Sequence, residues 1–192
     1  MDKYIFHQRK VLDNQTCDHL ISVFEKSNPI LNREHDYYVI YPHLTEDINF
    51  LFLKPILRKY LGEYLKKHIF LKFLYSKWDV DDLFNIQKYN PGQYYDSMCD
   101  VVKSQGHMEH GANEYDSIRL LGWMFYLNDI KNKGGTCWPQ QNFTSKPRAG
   151  DLYIWPAGWT HSHYGISAPT ETKYIITGWC TFSSSGIFGS QE

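Results

Sequence analysis

From Leu83 to Phe182 the chain falls into short runs of strand-forming residues divided by turn signals, and this pattern restricts its fold more than any other feature. The runs cover residues 84–89, 119–127, 131–135, 151–155, 161–165 and 174–182, with Asn90-Pro91-Gly92 the clearest turn among them. Many short strands with few helices between them imply an antiparallel sandwich or barrel. A jelly roll, the double-stranded β-helix also found in cupins, fits this length.

Ahead of this β-rich part lies a helical front. After Asp13 or Asn14 as N-cap, Cys17, Leu20, Ile21 and Phe24 recur at helical spacing until Asn28-Pro29 stops the helix. A second helical region is predicted over residues 46–67, with Ile48, Leu51, Phe52, Ile56, Leu61, Tyr64 and Leu65 as its apolar set and Pro55 bending or dividing it. The helices should pack on the outer face of one sheet, a mainly β, broadly α+β arrangement. A length of 192 residues suits one domain: a helical front over 1–75, a β-helix core over 83–182 and a short Ser/Gly-rich tail over 183–192.

A net charge of -1 and a pI near 6.7 leave no basic surplus for phosphates, so a dedicated nucleic-acid binder is disfavoured. Lys66, Lys67, His68 and Lys72 read as a solvated helix end. Cys17, Cys99, Cys137 and Cys180 are far apart and form no CxxC motif, so reduced thiols are expected. The polar N-terminus does not resemble a signal peptide and no apolar run reaches the length of a membrane span, which predicts a cytoplasmic protein. Fifteen tyrosines and six tryptophans suit either a β-rich core or the walls of a pocket.

Three constellations could carry chemistry. In Gly106-His107-Met108-Glu109-His110, strand geometry would put His107 and Glu109 on one face, where imidazole and carboxylate can converge on a metal. In Trp159-Thr160-His161-Ser162-His163-Tyr164-Gly165 the two histidines would likewise share a face, and either can supply a third ligand. Two histidines and one carboxylate form the facial set of non-haem Fe(II) oxygenases, whereas a structural zinc site would need a fourth protein ligand. Third, alternation in the last run puts Lys173, Ile175, Thr177 and Trp179 on one face. An inward lysine there requires an anionic partner, and a dicarboxylate would serve.

Together these residues resemble the iron(II)/2-oxoglutarate-dependent dioxygenases of the prolyl 4-hydroxylase type, including the small versions carried by bacteria and phages. The resemblance covers residues 84–182 and its elements come in the family's order. They are Ile86-Gln87-Lys88-Tyr89-Asn90-Pro91-Gly92, the HxE triplet, Arg119-Leu120-Leu121-Gly122-Trp123-Met124-Phe125-Tyr126-Leu127-Asn128-Asp129, Gly134-Gly135-Thr136, Lys146-Pro147-Arg148-Ala149-Gly150-Asp151, His163-Tyr164-Gly165 and the strand from Lys173 to Trp179. The resemblance implies iron(II) held by His107, Glu109 and His163. His163 is preferred to His161 because the family's distal histidine stands about ten residues before its basic residue, here Lys173. It further implies that Lys173 pairs with the distal carboxylate of 2-oxoglutarate, that Thr177, Tyr126 and, more weakly, Tyr89 supply hydroxyls to it, and that Trp179 packs near the metal. His161 would support the metal site from behind.

The family's usual HxD position falls on Met98-Cys99-Asp100, so the HxE at His107 follows an extra stretch of nine residues. A pairing of His107 or His110 with Asp100 therefore stays open. If the likeness holds, the chain hydroxylates a C–H bond, with peptidyl proline first among substrates, another amino-acid side chain or a small metabolite behind it, and ascorbate as an accessory reductant. Tyr94, Tyr95 and the loop over 111–116 would form the substrate-facing rim. Glu109 argues against a halogenase, which leaves the carboxylate position to halide. A monomer or a homodimer is expected of this chain. The rivals are a cupin-like metal protein without oxygenase turnover and a degenerate interaction scaffold.

Overall fold

The computed structural model describes residues 4–33, 36–41, 52–74, 77–95, 119–182 and 186–189. Helix α1, Asn14–Lys26, starts where the Asp13 carboxylate accepts the Thr16 N–H at 2.7 Å, and stops at Ser27 with Pro29 just beyond. Helix α2, Leu53–Lys67, buries Leu53, Leu57, Leu61, Tyr64 and Leu65. Pro55 sits in its first turn, where a backbone N–H has no intrahelical partner, so it opens the helix instead of bending it. The remainder of the predicted second helical region, 46–51, lies outside the described residues.

The β part comprises β4 (Trp78–Tyr89), β5 (Arg119–Tyr126), β6 (Thr136–Trp138), β7 (Phe143–Thr144), β8 (Leu152–Pro156), β9 (Tyr164–Gly165) and β10 (Lys173–Phe182). The front adds three short strands that sequence reading did not find: β1 (Phe6–Gln8), β2 (Ile30–Asn32) and β3 (Tyr37–Ile40). One sheet runs β1-β8-β5-β10-β4-β3-β2 and the other β7-β6-β9, every pairing antiparallel. This is the double-stranded β-helix, with both helices on the outer face of the large sheet.

Two predicted strands are replaced by turns. Lys133 and Gly134, with φ of 60° and 74°, curl the segment before β6. Trp159–His161 forms one turn of 3-10 helix, leaving only Tyr164–Gly165 to pair with β6.

Both faces of the large sheet are buried. Ile176, Cys180, Phe125, Trp123, Leu152 and Ile154 pack outward onto Leu20, Phe24, Leu57 and Leu61 of the helices. Ile175, Tyr89, Met124, Tyr126, Tyr153 and Trp155 point inward onto Trp138 of the small sheet. The alternation expected for β10 is thus what separates the helix-packing core from the inter-sheet interior. Gly150 ties front to sheet: its carbonyl accepts from Val11 N at 2.8 Å and its N–H donates to Tyr126 O at 2.9 Å. With φ +77° and a Cβ that would sit 1.9 Å from Leu12 O, no other residue fits there. Among the described residues no helix is long and apolar enough to cross a membrane.

Candidate active site

Strand register orders the inner face of the large sheet into rows. Lys173 lies opposite Tyr89. Ile175 aligns with Tyr126 and Gln87, Thr177 with Met124 and Asn85, and Trp179 with Gly122, which in turn pairs with Trp155. Lys173 and Trp179 therefore mark opposite ends of one interior.

At the first end, Lys173 is only 3% exposed, and burial pushes its amine down to about 8. Its Nζ stands 4.5 Å from the centre of the Tyr89 ring. Among the described residues no carboxylate forms an ion pair with it. Gly165 passes close above: a Cβ there would lie 3.6 Å from Nζ, in ordinary contact, and 3.2 Å from the Tyr95 backbone nitrogen, so a side chain would press on Tyr95. The Gly165 N–H donates to Tyr95 O at 2.9 Å, which fixes Tyr95 against this end, while Tyr94 is exposed.

Tyr126 is fully buried, and desolvation pushes its phenol up to about 12, so it stays a neutral hydroxyl. That hydroxyl bonds Ser145 Oγ at 2.6 Å and Thr136 Oγ1 at 3.0 Å. Tyr89 is held high by burial too; it stacks on Tyr37 and donates to Gln87 Oε1 at 2.6 Å. Thr177 donates its hydroxyl proton to Trp123 O at 2.8 Å, leaving lone pairs toward the interior. The Trp179 ring carries the Arg119 guanidinium 3.6 Å from its centre.

At the second end, the buried His163 ring lies 5.0 Å from Trp155 and 5.7 Å from Trp138, centre to centre. Its Nδ1 is 3.1 Å from the carbonyl oxygen of His161. A carbonyl only accepts, so Nδ1 carries a proton, and the tautomer this bond selects has its lone pair on Nε2, the arrangement a metal ligand requires. His161 does not share this face. The 3-10 turn sends its ring to Thr160 Oγ1 at 3.0 Å and edge-on to Tyr4, so its contribution to His163 is its backbone carbonyl.

His107, Glu109 and His110, with Met98, Cys99, Asp100 and the 111–116 loop, lie outside the described residues. Among the described residues no three His, Cys, Asp or Glu side chains gather as a metal site, in keeping with His163 being the one predicted ligand among them. Ser145, Thr136, Gln87 and Asn85 were missed in the sequence. The polar residues of β4 alternate with Phe84, Ile86 and Lys88, but a simple apolar-inward rule would have turned them to solvent.

Residues 84–181, half of the chain, match the sequence profile of the 2OG-Fe(II) oxygenase superfamily. The chain belongs to that superfamily. No curated protein matches this oxygenase, but solved structures share its fold. The viral collagen prolyl hydroxylase of Paramecium Bursaria Chlorella virus-1, in complex with 2OG, aligns at TM-score 0.70 and 18% identity over 94% of this chain and 97% of that one. A Pseudomonas putida prolyl-4-hydroxylase aligns at 0.63 and 16%, covering 92% and 91%. A Trichoplax adhaerens prolyl hydroxylase, in complex with a hypoxia inducible factor peptide fragment, aligns at 0.63 and 14%, covering 94% and 84%.

As a member, the oxygenase is a hydroxylating dioxygenase that uses iron(II) and 2-oxoglutarate. Its interior suits both: a buried ammonium without a protein carboxylate matches a dicarboxylate, and an imidazole with its free lone pair on Nε2 matches a metal. Family membership supports the oxygenase over the cupin-like metal protein as the reading of this chain.

Proposed function

We propose that the oxygenase hydroxylates a peptidyl proline, or another amino-acid side chain, in the cytoplasm of a bacterium or of a bacterium infected by a phage that encodes it. His107, Glu109 and His163 would hold the iron, and Lys173 would hold the far carboxylate of 2-oxoglutarate. The observation that carries this is the buried Lys173 amine at the opposite end of the interior from the His163 ring. Bound together, iron(II) and 2-oxoglutarate supply O₂ activation coupled to decarboxylation, giving succinate, CO₂ and one hydroxyl group on the substrate.

The protein's own groups orient and exclude water. Lys173 fixes one carboxylate by charge, and the neutral Tyr126 hydroxyl, held by Ser145 and Thr136, borders the row beside it. Tyr89 presents its ring to the lysine, which shields the ammonium from solvent. Thr177 lies one row nearer to Trp179, with its hydroxyl proton on the Trp123 carbonyl and its oxygen able only to accept from a ligand. Trp138 and Trp155 keep the His163 side dry, which strengthens polar contacts made there.

The substrate proposal draws on the prolyl hydroxylases that share the fold, one of them in complex with a peptide. The test is succinate release with iron(II) supplied, screened across proline-rich peptides, other peptides and free amino acids. A gain of one oxygen atom on a peptide, matched by equimolar succinate, supports it. Turnover of free amino acids alone would place the substrate elsewhere.

A further inference from the structure

Along the inner face of β4 three polar side chains are strung in one direction. The Tyr89 hydroxyl donates to Gln87 Oε1 at 2.6 Å, and the Gln87 amide donates to Asn85 Oδ1 at 2.7 Å. Tyr89, Gln87 and Asn85 are 3%, 7% and 6% exposed, so the chain of bonds runs through the interior. Each link fixes the next. Once its oxygen accepts from Gln87, Asn85 has an NH₂ group to present, two donors that no described residue accepts from. That nitrogen is not among the buried polar atoms sealed without a partner, so it keeps some accessible surface. Buried donors are costly to leave unmet, and polar groups held in place by others inside a pocket are suited to a ligand.

Its position narrows which ligand. Asn85 lies opposite Thr177, one row from Trp179, Gly122 and Trp155, and the Trp155 ring packs on His163. Lys173 and Tyr89 are four residues away along the strands, about 13 Å at the usual rise. The Asn85 donors thus stand on the His163 side, away from the far carboxylate that Lys173 would hold. The X–Pro amide has no N–H to offer, so its carbonyl is its polar handle and recognition of it requires a donor from the protein.

We infer that the Asn85 amide is a donor subsite for a backbone carbonyl of the peptide substrate, aligned by the Tyr89–Gln87 relay, and this rests on the peptide reading above. Asn85 is a specificity-determining residue in this scheme, with Gln87 as its positioning residue.

The test uses the iron(II)-loaded enzyme and the proline-rich peptide with the highest succinate release. Asn85→Asp keeps the oxygen that Gln87 bonds and replaces the outward donors by an acceptor. Asn85→Leu removes both without adding charge, which covers the case in which the aspartate variant does not fold. Either variant should raise the peptide KM at least tenfold, change kcat less than threefold, and leave the midpoint of the 2-oxoglutarate absorption titration within twofold. An unchanged peptide KM in both overturns the subsite. A KM rise matched by an equal shift in the 2-oxoglutarate midpoint overturns it too, since the amide would then serve the co-substrate. If the absorption band forms but no peptide is turned over, the subsite fails while the oxygenase assignment stands; absence of the band instead strikes at the iron and 2-oxoglutarate placement itself.

Discussion

Lys173 is the residue on which the pocket turns, because its burial makes both stability and ligand binding depend on pH. Its amine is lowered from an ordinary 10.5 to about 8 by desolvation. Between those values the unfolded chain holds more protons than the fold does, so the ligand-free protein gains stability from this group as pH rises from 8 to 10.5. Co-substrate binding runs the other way, since a carboxylate needs the ammonium. Its dissociation constant should rise about tenfold per pH unit above 8, with proton uptake on binding seen by calorimetry in buffers of different ionisation heat. Lys173→Met separates the two effects: it should stabilise the ligand-free fold by about 2 kcal/mol in urea titrations while raising the 2-oxoglutarate KM at least tenfold. Part of this was legible, since alternation puts Lys173 on one face with Ile175 and Thr177, but an exposed start of the strand would fit the same pattern and only the structure buries the amine. What was not legible is that His161 turns away from His163. Strand periodicity cannot foresee a single 3-10 turn at Trp159–His161, which is set by contacts with residues distant in sequence such as Tyr4.

At the scale of elements, the long central strands β4 and β10 announced themselves by composition, and α1 by its cap, stripe and stop. Strands β1, β2 and β3 did not, because runs of three or four residues owe their conformation to their partners: β1 to β8, β3 to β4, and β2 to β3. Their partners lie far along the chain for β1 and β3, so no local window contains the cause. Helix α2 is fastened to β4 by Arg58, whose guanidinium makes a forked pair with the nearly buried Asp79, one arm at 3.0 Å. Asp79 also accepts the Val80 N–H at 2.7 Å, so it keeps one partner if the arginine is lost. Arg58→Met should therefore cost about 1 to 2 kcal/mol, read as a lower urea midpoint with unchanged m-value, a modest figure because the arginine is about a third exposed. A change in m-value instead would mean that α2 detaches separately from the sheet.

Over the whole molecule, the helices brace one face of the large sheet so that the other can be given to chemistry. The two cores on either side of β10 serve different ends: leucines with Phe24 and Tyr64 from the helices on one, tyrosines and tryptophans around Lys173 and His163 on the other. Ligand binding across that interior should stabilise the fold as a unit. Iron(II) with 2-oxoglutarate at about 100 times its dissociation constant should add roughly 2.7 kcal/mol, a Tm rise of about 7 °C for a chain of this size, checked by calorimetry under nitrogen.

The most direct test of the account is an anaerobic titration of 2-oxoglutarate into the iron(II)-loaded protein, followed by its visible absorption band. The wild type should develop the band, His163→Ala should lose it, and Lys173→Met should develop it only at concentrations at least tenfold higher. A full band in His163→Ala, or an unchanged midpoint in Lys173→Met, would contradict the placement of metal and co-substrate at the two ends of this interior.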